Sequence, residues 1–262
     1  MNKSLVSLSI TLSLLFSSNA LSEGFNDNYL KFGSGVNGFS PLHSQLRDEI
    51  AKNASFLTGN GNNDPDAISN ATKEHYAEKV MDIKGSIDIG NNYSVIGSYA
   101  REKGNWTDGV GYDAGFGPVT YWIRDWKYRS SELLVGMGKN FDLHPQNFGN
   151  ILLTYTQLTT SLMYGKNKSK LESSIGGSPS LWNNISQSKN LANFSLGVRT
   201  ISNFDIEWAA KYNRVSGKNM KVDHQIEVEA TKNIANNFAL GAAVTTHRYG
   251  DAKMGLFVKA SF

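Results

Sequence analysis

The stretch Phe204-Asp205-Ile206-Glu207-Trp208-Ala209-Ala210-Lys211-Tyr212-Asn213-Arg214-Val215 decides the fold. Phe204, Ile206, Trp208, Ala210 and Tyr212 fall on one face, and Asp205, Glu207, Lys211 and Asn213 on the other. Side chains of an extended chain alternate between two faces, so this period of two marks a strand with one apolar and one polar side, not a helix. The next segments repeat it. Met220, Val222, Ile226, Val228 and Ala230 oppose Lys221, Asp223, Gln225, Glu227 and Glu229. Phe238, Leu240, Ala242 and Val244 follow, and the chain ends with Met254, Leu256, Val258, Ala260 and Phe262 against Lys253, Gly255, Phe257, Lys259 and Ser261.

Toward the N-terminus the same reading predicts strands at 29–39, 75–89, 93–101, 131–141, 148–164 and 191–201. The total is ten, with eight or twelve as alternatives. Segment 148–164 is apolar on both faces in part, which predicts a bulge. Gly90-Asn91-Asn92, Ser202-Asn203 and Ala235-Asn236-Asn237 have the chemistry of tight hairpin turns, and 142–147 forms a somewhat longer one. Between them sit the longer connections 40–74, 104–125 and 165–188, then short ones near Ser216-Gly217-Lys218-Asn219 and Tyr249-Gly250-Asp251. Short turns at one end and mostly long loops at the other predict an all-β, antiparallel up-and-down transmembrane β-barrel. A lipocalin-like soluble barrel is the competing fold. Balanced acids and bases on the polar face and aromatics near the strand ends favour the membrane form.

Composition narrows the classes. The 262 residues include no Cys, which excludes disulfides, thiol chemistry and Cys-ligated metal centres. Mean hydropathy is −0.36 and there is one long apolar run, which excludes a bundle of helices each needing about 20 apolar residues. A net charge of +3 is too small to argue for nucleic acid. No cofactor is implied. The beginning of the chain reads as a signal peptide, 1–20. Lys3 supplies the positive region, 5–16 the apolar core, and Ser18-Asn19-Ala20 the small residues of a cleavage site. Export leaves 21–262 as the barrel, expected in a bacterial outer membrane.

The C-terminal segment Lys253-Met254-Gly255-Leu256-Phe257-Val258-Lys259-Ala260-Ser261-Phe262 resembles the insertion signal of bacterial outer-membrane β-barrel proteins. The matching positions are Lys253, Gly255, Val258, Ala260 and Phe262; Ala260 departs from the pattern, where an aromatic is usual. The whole is similar to the broad class of opacity-type and small porin-like barrels. That resemblance implies recognition by the barrel assembly machinery.

With apolar residues turned to lipid, the other face lines a lumen. The expected bases are Lys31, Lys84, Arg199, Lys211, Lys221 and Lys259. The expected acids are Glu78, Asp82, Asp88, Glu132, Asp205, Glu207, Asp223, Glu227 and Glu229. Two readings stay open. The charges form a salt-bridge network that plugs the barrel, or they line a narrow, mildly acidic channel that favours cations. Outer-membrane hydrolases form a third class. The only Asp-x-His of the omptin kind is Asp142-Leu143-His144, in a connection placed on the periplasmic side. His43 adjoins Ser44, and His75, His224 and His247 show no local partner, so no catalytic site is read.

Loop 40–74 carries a helix pattern in Ser40, Pro41, Leu42, Leu46, Ile50 and Ala54, and 59–66 only faintly resembles a calcium loop. Loop 104–125 holds Trp106, Tyr112, Phe116, Tyr121 and Trp122, either as a binding surface or as packed extensions of the strands. Lys127 and Arg129 follow near the outer interface, within reach of lipopolysaccharide phosphates. The expected partners are outer-membrane lipid and lipopolysaccharide, with the barrel as a monomer.

Overall fold

A computed structural model describes residues 25, 27–37, 78–112, 120–143, 146–148, 151–175, 178–202, 204–248 and 252–262. The leader, the helix and turn of 40–74, and His43, His75 and His144 lie outside the described residues. The strands are β1 (Tyr29–Asn37), β2 (Glu78–Gly90), β3 (Tyr93–Tyr112), β4 (Thr120–Leu143), β5 (Gln146–Phe148), β6 (Ile151–Ile175), β7 (Ser178–Ser202), β8 (Ile206–Gly217), β9 (Asp223–Ala235), β10 (Phe238–His247) and β11 (Lys253–Ser261). Consecutive strands pair antiparallel, with two additions. β4 pairs with β6, leaving β5 as a three-residue spur on the start of β6, and β1 pairs with β11. Ten strands therefore close into a barrel, and closure leaves no strand edge for lipid to meet. Among the described residues there is no helix.

The burial pattern is inverted relative to a water-soluble protein. Leu256 is 72% exposed and Leu162 is 61% exposed, while Lys31 is 9%, Arg199 7% and Asp223 1% exposed. Apolar side chains on the outside and ionic ones inside suit a hydrocarbon surround. The chain is a membrane-spanning β-barrel.

The turns follow from local chemistry. Asn91 and Asn92 both have positive φ, 54° and 61°, as a two-residue hairpin of the favoured twist requires. A bulge does interrupt β6, between Leu153 and Tyr155.

The strands are of two lengths. β3, β4, β6 and β7 run 20, 24, 25 and 25 residues, whereas the other barrel strands run 9 to 13. A tilted strand crosses a bilayer in about 9–11 residues, so the four long strands form a tall wall that continues beyond it. The expected loops at 104–125 and 165–188 are therefore mostly strand: Trp106 pairs with Trp126, and β6 runs to Ile175 before β7 starts at Ser178. Above the apolar belt the outward face turns polar, with Arg129, Lys168 and Lys170, while Tyr128 and Leu171 lie buried inside, so the apolar-outward alternation ends while the backbone ladder continues. Within this wall, β4 and β6 approach closely at two glycines. A Cβ on Gly165 would lie 1.9 Å from the Leu133 carbonyl oxygen, and one on Gly136 would lie 2.0 Å from that of Leu162.

Candidate functional site: the charged lumen

The pleat sends every second side chain of each strand inward, and the register sets which meet. Lys84, Lys31 and Lys259 lie side by side on β2, β1 and β11. Like charges in one row repel. Carboxylates from β8 and β9 answer them across the lumen: Lys31 pairs with Glu229, and Lys259 Nζ lies 2.8 Å from Glu207 Oε2. Lys211 on β8 sits 3.4 Å from both Glu227 and Glu229. These reaches pass over β10, whose inward positions are the small Ala239, Gly241 and Ala243. The Phe257 ring supports Lys31, whose ammonium lies 4.3 Å from the ring centroid. Nearer the end where the tall wall projects, Lys253 Nζ lies 2.9 Å from Asp82 Oδ2.

These groups border an interior cavity of about 270 Å³. The tall wall faces it chiefly with neutral groups: Ser94, Ser98, Ser161, Asn193 and Ser195. A second chamber of about 170 Å³ lies toward the end where the tall wall projects. The two share Ala100, Glu132, Gln225, Glu227, Thr245 and Lys253 as a common boundary.

Each end of this path has its own polar cluster. At the end where the tall wall projects, Asp223 Oδ2 lies 3.0 Å from His247 Nδ1 and accepts from Gln225 Nε2 at 2.8 Å. The second ring nitrogen of His247 is buried without a hydrogen-bond partner. At the opposite end, near the start of β1, Arg199 Nη2 pairs with Asp27 at 2.5 Å, and Arg199 Nε donates to Gln157 Oε1 at 2.8 Å. The Phe25 ring lies 4.2 Å from the same guanidinium, and Asn140 donates to Asp27 at 2.7 Å. Residues just before β1 thus brace this mouth of the barrel. Below the belt, Asp142 accepts hydrogen bonds from Tyr155 and Gln157, both at 2.6 Å, which hold its carboxyl below the usual range.

Of the residues expected in the lumen, Lys31, Asp82, Lys84, Glu132, Arg199, Glu207, Lys211, Glu227, Glu229 and Lys259 border the main cavity. Asp223 sits at the outer chamber. Three expectations are corrected. Asp88 is exposed near the end of β2, where its carboxylate accepts from the Gly90 N–H of the turn. Asp205 occupies the exposed β7–β8 turn with φ 56°, and Lys221 is exposed in the connection before β9. Asp205 and Lys221 lie one and two residues outside a strand and Asp88 lies in the last turn-ward residues of β2, so period-two alternation no longer decides the face at these positions. Glu78 begins β2, and its side chain lies outside the described residues.

The sequence reading missed Asp27, which precedes any periodic segment, and Lys253 as an ion-pairing lumen group. With both included, six acids and six bases border the main cavity among the described residues, so it is balanced rather than acidic. The outer chamber holds Glu102, Glu132, Asp223 and Glu227 against Lys253 and His247, and is acidic. Two histidines also gain partners: His247 with Asp223, and His224 with the Tyr212 hydroxyl at 2.6 Å. Neither pairing lies within one strand, which is why local sequence hid them. At the C-terminus, Gly255 faces Gly35, Val258 is exposed on the lipid side, Ala260 pairs with Leu30, and the Phe262 N–H donates to the Asn28 carbonyl at 3.0 Å.

No protein-family model matches the chain, and no curated protein does. Solved structures do. The chain is similar to the transport unit of the autotransporter AIDA-I from Escherichia coli, at 12% identity and TM-score 0.40 over 98% of each chain. It is similar to the translocator domain of the autotransporter NalP from Neisseria meningitidis, at 10% identity and TM-score 0.39, covering 99% of this chain and 95% of that one. It is also similar to outer membrane phospholipase A from Escherichia coli, at 11% identity and TM-score 0.31 over 97% of each chain.

Proposed function

We propose that this protein is a monomeric outer-membrane channel for small polar solutes, inserted through its C-terminal strand by the barrel assembly machinery. The observation that carries the reading is the shared boundary of the two interior cavities. Together they run from the Arg199–Asp27 cluster to the Asp223–His247 cluster. The larger has room for on the order of ten waters. Most of its ionic groups are paired and acids and bases are equal in number, so a passing solute meets fixed dipoles and hydroxyls rather than one dominant charge. With Asp27 bonded to both Arg199 and Asn140, three side chains are tied together at the periplasmic mouth, and freeing them should ease passage.

Planar-bilayer recording tests this. The wild-type protein is expected to give small, discrete conductance steps, and Asp27→Ala larger ones. Silence from both proteins over a wide voltage range would sink the channel. It would favour the second reading, a closed barrel whose projecting tall wall binds a surface partner.

A further inference from the structure

The outer surface of the tall wall carries cations in an unbroken array. On β3, Arg101 and Lys103 face outward, and the register sets Lys103 opposite Lys79 of β2 and Arg129 of β4. Arg129 in turn lies opposite Lys170 of β6. Below Lys170 on the same outward row come Lys168 and Lys166, all exposed. Carboxylates enter this face at its upper margin, where Glu172 pairs with Lys170 and Asp125 is exposed. Elsewhere at this height the outward row of β7 is neutral: Asn184, Ser186, Ser188 and Asn190.

The array has a defined depth. On β4 the exposed apolar residues Phe141, Met137, Val135 and Leu133 mark the belt, and Arg129 stands four residues above Leu133. On β6, Lys166 follows directly on the exposed Leu162 and Tyr164 of the same face. The cations therefore begin where the hydrocarbon ends, at the level of the lipid headgroups.

Two surface depressions meet there. One, of about 360 Å³, is polar and is bordered by Arg101, Arg129, Lys168 and Lys170 with the Ser131 and Ser186 side chains between them. The other, of about 790 Å³, is a groove descending the lipid face, bordered by Phe32, Met81, Ile83, Leu240, Leu256 and Val258. Lys79, Arg101 and Lys103 also border the groove. Arg101 borders both depressions. A cationic seat above an apolar trough matches a lipid with phosphates on its headgroup and a saturated tail below. Guanidinium pairs bind phosphate oxygens in fork geometry, and apolar walls bury methylenes.

We propose that this face is a binding site for a phosphorylated glycolipid of the outer leaflet. Arg101, Arg129, Lys168 and Lys170 hold its phosphates, and the groove beside Ser34 and Leu256 holds one acyl chain. The site rests on the tall wall pointing outward, and it stands whether or not the lumen conducts.

The test uses the full-length folded protein in detergent, with lipid binding read by native mass spectrometry. The probes are bisphosphorylated lipid A, the same lipid stripped of phosphate, and heparin. Bisphosphorylated lipid A is expected to bind at least about tenfold more tightly than the stripped form. Arg101→Gln combined with Arg129→Gln is expected to remove that advantage, and Ser34→Trp, which fills the groove, to weaken the lipid but not heparin. Arg214→Gln, on an exposed site of β8, is expected to change nothing. All variants should keep the heat-sensitive gel mobility of a folded barrel, since their side chains face outward. Equal binding of the two lipids would overturn the proposal. So would heparin binding as tightly as lipid A with Ser34→Trp affecting neither, which would assign the face to polyanionic chains instead.

Discussion

The two walls of this barrel solve opposite problems with the same pleat. The short wall, β1, β2 and β8 to β11, is just long enough to cross a bilayer, and it concentrates its charge inside, as Lys31–Glu229, Lys211–Glu227 and Lys259–Glu207. The tall wall, β3, β4, β6 and β7, keeps a mostly neutral inner face of Ser and Asn and puts its cations outside, above the belt. The difference teaches where a barrel can place charge. Inside, an ion is enclosed and must be paired by residues from another strand. Outside, it is tolerated only beyond the hydrocarbon, so short strands carry outward cations near their ends, as Lys79 and Arg214 do, while the longer strands have room for rows of them.

The largest expected break in this contrast is Lys211→Met. It leaves Glu227 and Glu229 enclosed with one cation fewer, and should destabilise the folded barrel by about 3 kcal/mol. Urea titration of vesicle-inserted protein reads the loss. Adding Glu229→Gln should recover part of it, because the two sites are coupled. Gly165→Val strikes the tall wall through sterics instead, since its Cβ would meet β4 backbone; about 1–3 kcal/mol is expected in the same titration. Ser195→Ala should cost only about 1 kcal/mol, the Ser195 hydroxyl donating to Asn213 at 2.5 Å. If Ser195→Ala costs more than Lys211→Met, the assignment of stability to the charged wall is wrong.

The smallest effect is in acid. Hydrogen bonds from Tyr155 and Gln157 depress the Asp142 carboxyl in the folded state. Its contribution is thus complete above the unfolded value near ~4 and is lost as pH falls through the lower folded value. Asp142→Asn should remove that small contribution at neutral pH and flatten the acid limb, so that the two proteins converge in stability once the carboxyl of the wild type is protonated. An identical acid limb in both proteins would show that this rim cluster does not report on folding.

Much of this was legible in the residues themselves. Trp208 and Tyr212 against Lys211 and Asn213 already placed lipid on one side of β8. The twin asparagines at 91–92 already called for a hairpin. The tall wall was not legible, because Lys166, Lys168 and Lys170 alternate with the neutral Asn167 and Ser169, and a pattern search keyed to hydropathy sees only a polar loop. Nor was the lumen's charge balance, since it turned on strand ends. Asp88 and Asp205 sit where the chain reverses, and Asp27 acts from before the first strand.

Sequence by itself determined the sidedness of each strand, because the pleat is local and its period of two needs no partner. Tertiary structure alone decided which ions meet. Lys31 and Glu229 stand 198 residues apart, and only closure of β1 onto β11, with small residues on the intervening β10, brings them together.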